Sequence, residues 1–286
     1  DKTVKADKPF FVWLNTTGMH FRTHPAEKHL GKSGQDFYND VMVAHDELIG
    51  QMLDQLDDLG VADNTIVFYS TDNGVHYNTW PDAGITPFRS EKNSNWEGAY
   101  RVPAMVRWPG KIAPGQVSNE VMSHLDWMPT LVAAAGGPQD LPEKLLSGYE
   151  GYKVHLDGYN QLSFLKGESE SNRDEIFYYA GATLQAVRYR DWKAHFVVQN
   201  HGWGGPKDEL NAPLLFNLRR DPYEKAADES GMYTKWMGKK MWAFGPAKNL
   251  VVQHLGTLKE FPPRGAALSN ETEIEQQATG DNGLAQ

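Results

Sequence analysis

Two apolar runs of strand length, Phe10-Phe11-Val12-Trp13-Leu14 and Thr65-Ile66-Val67-Phe68-Tyr69, flank one long amphipathic stretch. Runs without polar alternation suit strands covered on both faces. Between them, Tyr38, Val41, Met42, Leu48, Ile49, Met52, Leu53, Leu56 and Leu59 recur at helical spacing, and Gly60 supplies a stop. Strand, helix and strand in that order predict a right-handed parallel crossover. The fold class expected is therefore α/β: part of a mostly parallel sheet sandwiched by helices.

Ala104-Met105-Val106-Arg107-Trp108 reads as a further strand ended by Pro109-Gly110, and 125–135 as a helix stopped by Gly136-Gly137. From 148 to 173 the composition turns polar and rich in Gly, Ser and Glu, which suggests a domain crossing. Beyond it, Ile176-Phe177-Tyr178-Tyr179, Leu184 to Arg188, Lys193 to Val198 and Leu214 to Leu218 are closely spaced strand candidates. Short connections favour an antiparallel meander. Helical patterns follow at 232–242 and 247–258. After Pro262-Pro263 apolar residues almost vanish, as in a disordered or loosely attached tail. The expected domains are 1–172, 173–262 for a smaller antiparallel sheet subdomain with helices, and 263–286 for the tail.

With 286 residues and 40% hydrophobic content, the chain can bury a substantial core. A net charge of -9 with no basic run argues against nucleic acid as a partner. The absence of cysteine excludes disulfides and thiolate metal sites. The apolar run at 10–14 is too short for a membrane span or signal-peptide core, so a soluble chain with no membrane partner is expected.

In open α/β sheets ligands bind beyond the carboxyl ends of the strands. His20 follows the first predicted strand, and Asp72-Asn73-Gly74 follows the second. A carboxylate beside an amide oxygen suits a hard cation such as Ca²⁺ or Mg²⁺, although Asp-Asn-Gly is also an ordinary turn sequence. Lys92 sits in a segment punctuated by Pro87, Gly98 and Pro103 and anchored by Phe88, Trp96 and Tyr100. It could hold a fixed positive charge against a sulfate or phosphate oxygen, or pair with Glu91 or Glu97 on the surface. His20 could exchange a proton with an alkoxide, with His24 and His29 as competitors and a plain surface role as the alternative. Asp57-Asp58 reads as a solvated helix end. The chain has no G-x-S-x-G elbow, P-loop or H-E-x-x-H helix. Trp192 and Trp203 could line a cleft, but core packing is the default.

Taken in order, Asn15-Thr16-Thr17-Gly18-Met19-His20, Tyr69-Ser70-Thr71-Asp72-Asn73-Gly74 and Pro87 to Pro103 resemble the C-terminal half of a sulfatase of the alkaline phosphatase superfamily. Arg107-Trp108-Pro109-Gly110, His124 to Leu131, Val187 to Lys193 and Phe216-Asn217-Leu218-Arg219-Arg220-Asp221-Pro222 extend the resemblance. It implies Asp72 and Asn73 as ligands of a divalent cation, usually calcium, with magnesium the alternative. It implies Lys92 as the lysine on the sulfate and leaving-group side, and His20 as the acid that protonates the departing alcohol. Ala99 departs from the family, which commonly has a second glycine there, and implies a small local adjustment.

The family's earlier half carries an aspartate pair for the metal and a Cys- or Ser-x-Pro/Ala-x-Arg motif that yields formylglycine, the nucleophile that attacks sulfur. Ser169-Glu170-Ser171-Asn172-Arg173 has serine where proline or alanine is needed and is rejected. The resemblance thus implies a sulfate ester substrate, aryl or carbohydrate. It also implies an N-terminal half needed for activity, and favours a secreted or periplasmic location. Alternatives are a phosphatase, phosphodiesterase or phosphonate hydrolase of the same superfamily, or a non-catalytic module binding glycans or a partner.

Overall fold

The computed structural model of the protein describes residues 2–20, 22–202 and 204–262. The expected tail at 263–286 and Trp203 lie outside the described residues. By contact the chain divides into one unit of 1–87 with 101–115, and another of 88–100 with 116–286. The compositional change at 148–173 lies within the second of these units.

The first unit holds a short helix α1 (Lys2–Lys5), the long α2 (Phe37–Asp58), and strands β1 (Val67–Ser70) and β2 (Ala104–Arg107). Asp36 caps α2 by accepting a 3.0 Å hydrogen bond from Asn39 N, satisfying an amide left open by the first helical turn. At the other end Gly60 takes the left-handed conformation, φ 68°, that glycine adopts without a Cβ penalty.

The parallel crossover expected from the apolar runs is not what these elements form. β1 pairs antiparallel with β2, Val67 opposite Arg107 and Ser70 opposite Ala104. Residues 10–14 adopt no strand, and their side chains are largely exposed, Trp13 at 80%. An apolar run becomes a strand only when a neighbour accepts its ladder of hydrogen bonds. Among the described residues no strand pairs with 10–14.

The second unit begins with α3 (Glu97–Tyr100), α4 (Trp127–Ala134), α5 (Leu141–Ser147) and α6 (Leu162–Leu165). The expected antiparallel meander follows as β3 (Glu175–Ala180), β4 (Thr183–Tyr189), β5 (Trp192–Val198) and β6 (Asp208–Asn217), in that spatial order. It is completed by α7 (Ala226–Glu229), α8 (Tyr233–Gly238) and α9 (Phe244–Glu260). Successive side chains of a strand point to opposite faces, and here both faces are covered. Val187, Ala194 and Leu215 pack against Ala243 and Ala247, with Trp236 and Phe244 alongside. On the other face Trp96 packs with Val198, Phe216 and Leu218. Lys193 and His195, flanking Ala194, therefore point into a covered face and are fully buried. Among the described residues no helix is long and apolar enough to cross a membrane.

Candidate active site

In the first unit the turn leading to His20 is held by short polar bonds. Thr23 donates through N to His20 O at 2.9 Å, and through Oγ1 to His20 O at 2.7 Å and Thr17 O at 2.8 Å. Met19 adopts φ 71°, a left-handed conformation uncommon outside glycine. His20 is exposed and helps line a shallow hollow with Met19, Thr23, Phe37, Tyr38, Val41 and Thr79.

Asp72 and Asn73 follow the carboxyl end of β1. The Asn73 amide nitrogen donates to Gly74 O at 2.7 Å, and Thr71 Oγ1 donates to Asn73 O at 3.0 Å. Ser70 Oγ donates to Pro103 O at 2.7 Å, which ties this end of β1 to the residue before β2. Asp72 is exposed. The donor types fit a hard cation, a carboxylate with a neutral amide oxygen, and Asn73 turns its nitrogen away to the backbone. Among the described residues no group of three His, Cys, Asp or Glu could hold a metal ion, so these two are at most part of a coordination shell.

His45 joins these two stretches, and sequence reasoning did not single it out. Half-buried on α2, it is hydrogen-bonded through Nδ1 to Thr16 Oγ1 at 3.2 Å and through Nε2 to Tyr69 OH at 3.0 Å. Its signal was positional: a histidine in the apolar register Val41, His45, Leu48, Met52 of α2.

Lys92 lies in the second unit, on a segment closed by a 2.8 Å bond from Gly98 N to Arg89 O. Ser90 and Asn93 have φ 63° and 65°, so the segment carries two left-handed non-glycine residues. Asn95 fixes it to β5 by donating to Val197 O at 2.5 Å and accepting from Gln199 N at 3.1 Å. Lys92 is half-buried and among the described residues has no ion-pair or hydrogen-bond partner. Glu97, its suggested surface partner, is instead buried, accepting from Tyr178 OH at 2.6 Å and Lys193 Nζ at 3.0 Å.

The carboxylates behind the segment are held by one buried ammonium and a buried imidazole. Lys193 Nζ is also 3.0 Å from Glu224 Oε1, which lies 2.9 Å from His195 Nε2. Burial pushes the Glu224 carboxyl up, but the Lys193 ammonium and the His195 bond outweigh it and hold it below its ordinary value. Burial, reinforced by repulsion from Lys193, pushes His195 down to about 4, so it is neutral near pH 7.

Two family models match the sequence: sulfatase over residues 2–137, and the C-terminal region of aryl-sulfatase over residues 171–279. The chain belongs to the sulfatase family. It is 33% identical over 241 residues to N-acetylgalactosamine-6-sulfatase of Homo sapiens, covering 76% of this chain and 44% of that one. It is 31% identical over 245 residues to steryl-sulfatase of Mus musculus, covering 76% and 38%. Among solved structures, a PsFucS1 sulfatase from Pseudoalteromonas sp. superposes with TM-score 0.79 at 28% identity, covering 92% of this chain and 51% of that chain. The chain thus spans less than half the length of these curated relatives.

Within this sulfatase chain, His20, Asp72 and Asn73 lie in the first unit and Lys92 in the second. Ala99, in place of the glycine common in sulfatases, is buried in α3, a helical setting that accepts a methyl group. Arg173 is unfit for a nucleophile motif: buried, it grips Asp126 through Nε at 3.0 Å and Nη2 at 2.6 Å. That bidentate pair ties the start of β3 to the residue preceding α4.

Proposed function

We propose that this chain is the part of a sulfatase that holds the sulfate end of an ester and releases the alcohol. The observation that carries this reading is Lys92, half-buried on a closed, anchored segment and without an anionic partner among the described residues. Lys92 would bind an ester oxygen and neutralise charge that grows there as the sulfur–oxygen bond breaks. His20, on its tied turn, would give a proton to the departing alkoxide. Asp72 and Asn73 would supply two oxygens to a divalent cation, calcium first and magnesium as the alternative. Once bound, that ion would offset negative charge on the sulfate oxygens.

The substrate class is a sulfate ester of an aryl or carbohydrate alcohol. No residue of the 286 is cysteine, and none stands in a Ser-x-Pro/Ala-x-Arg motif. The formylglycine nucleophile and the remaining cation ligands would therefore come from an N-terminal half of the fold. The exposed apolar run at 10–14 is where that half would add strands and complete a parallel sheet.

The test is turnover of an aryl sulfate by the chain alone and after mixing with a polypeptide carrying the missing half, with an aryl phosphate in parallel. No turnover alone and sulfate-selective turnover on mixing, sharply reduced but still measurable in Lys92→Ala and His20→Ala, is the expected result. Robust turnover by the chain alone, or full activity in Lys92→Ala, would overturn it. Preference for the phosphate ester would move the chain to the phosphatase branch of the superfamily.

A further inference from the structure

Glu224 belongs to the turn Asp221-Pro222-Tyr223-Glu224, which follows β6 and has no role in the chemistry above. The turn is built locally: Glu224 N donates to Asp221 O at 3.2 Å, and Asp221 accepts from Lys225 N at 3.0 Å and Ala226 N at 2.8 Å. Glu224 itself has φ 53° and is fully buried. A non-glycine residue held in the left-handed region and sealed from water persists only where its surroundings impose it.

From this turn Glu224 reaches the segment bearing Lys92. Glu224 Oε2 accepts from Glu97 N at 2.7 Å. Glu224 O accepts from Arg89 Nη1 at 2.8 Å. Arg89 and Glu97 flank the closing bond from Gly98 N to Arg89 O, so a single residue grips both ends of the closed segment. The other carboxylate oxygen of Glu224 is held by Lys193 and His195 of β5, which anchors the grip to the sheet. Arg89 is further fixed with its guanidinium 3.6 Å above the Trp96 ring. Lys92 stands between the two gripped ends.

We propose that Glu224 is a positioning residue that sets where Lys92 presents its ammonium. Its carboxylate and its main-chain oxygen, acting on Glu97 and Arg89, hold the two ends of the segment, while Asn95 anchors it to β5 and Lys92 and Asn93 stay partly or fully exposed. The inference rests on the reading of Lys92 as the ester-binding lysine, but its first test does not.

That test is amide hydrogen exchange on the chain, comparing wild type, Glu224→Gln and Arg89→Lys. Arg89→Lys keeps a positive charge on a partly exposed residue, so it serves if Glu224→Gln fails to fold. Exchange in 89–98 is expected to rise at least tenfold while β4 and β5 stay protected. Unchanged exchange, or a rise spread evenly over β4 and β5, overturns the proposal.

The second arm is a double-mutant cycle in sulfate ester turnover by the completed enzyme. Glu224→Gln should lower kcat more than tenfold in the wild-type background and add little in Lys92→Ala. Equal losses in both backgrounds would mean a general structural role and would also overturn it. If the complete protein turns over no sulfate ester, the functional reading fails, while the exchange result still decides the grip on the segment.

Discussion

Lys193 Nζ lies 3.0 Å from Glu97 Oε1, with 0% and 1% of the two side chains exposed. The same ammonium meets Glu224 Oε1 at 3.0 Å and stands 4.0 Å above the Tyr178 ring. A buried pair adds little net stability when intact, but breaking it strands a charge without water. Lys193→Met is therefore expected to cost about 3–5 kcal/mol, measured as a drop in the urea midpoint. An unchanged midpoint would show that the two carboxylates find other partners.

Acid should weaken the second unit through His195. Its folded value of about 4 lies below the ordinary 6.5, so between those values the unfolded chain binds the proton that the folded chain refuses. Stability then falls as pH drops from about 6.5 towards 4, by about 3 kcal/mol at the most. Urea midpoints between pH 7 and pH 4 should show that slope, and His195→Gln should flatten it. An identical slope in the variant would assign acid sensitivity to other groups.

Gly98 is fixed by space. A Cβ there would meet Ser90 O at 2.2 Å and Arg89 O at 2.4 Å, both backbone atoms that cannot swing aside. Gly98→Ala should therefore cost roughly 1–3 kcal/mol and open the Lys92 segment. At Gly18 the nearest atom is His45 Nδ1 at 3.5 Å, an ordinary contact, so Gly18→Ala is the matched control. Thermal melts of the two variants that coincide would refute the contrast.

His45→Phe preserves ring volume and removes both hydrogen bonds to Thr16 and Tyr69. Exchange of amides in 15–20 should rise several-fold, with the meander of the second unit unaffected. Protection equal to wild type would mean that the Thr23 bonds alone hold the turn.

Calcium affinity of the chain by itself should be weak, with a Kd of about 1 mM or higher, because Asp72 and Asn73 offer only one formal negative charge. Calorimetry with Asp72→Ala as a blank measures it. Micromolar binding abolished by that substitution would mean that further ligands lie within these residues.

Much of the framework was legible in the sequence because periodicity reports burial directly. The long helix, read from the apolar spacing of Tyr38 to Leu59, spans Phe37–Asp58 with Asp36 as its cap, and the meander falls where its apolar runs lie. Phe10 to Leu14 misled for a physical reason: apolar content measures a preference for burial, whereas a strand needs a partner ladder. The proposed site residues His20, Asp72, Asn73 and Lys92 were picked out as short loop motifs, of which only Asp72 and Asn73 follow directly on a strand. Lys193 and Glu224 were not, because charged residues are almost never fully buried unless paired, and their partners lie 96 and 127 residues away in Glu97. His45 was hidden by sitting in a helix face that otherwise reads as apolar.

The bond between Arg89 and Glu224 spans 135 residues, and that separation orders events during synthesis. Translation proceeds at about 5–20 residues per second, so the stretch around Lys92 leaves the ribosome roughly 7–27 s before the turn that grips it. Until β5, β6 and Asp221 to Glu224 arrive, Glu97 has neither its lysine nor its glutamate, and Trp96 has no sheet to cover. A lysine proposed to meet the ester is thus placed well after its own synthesis, by residues more than a hundred positions further along the chain.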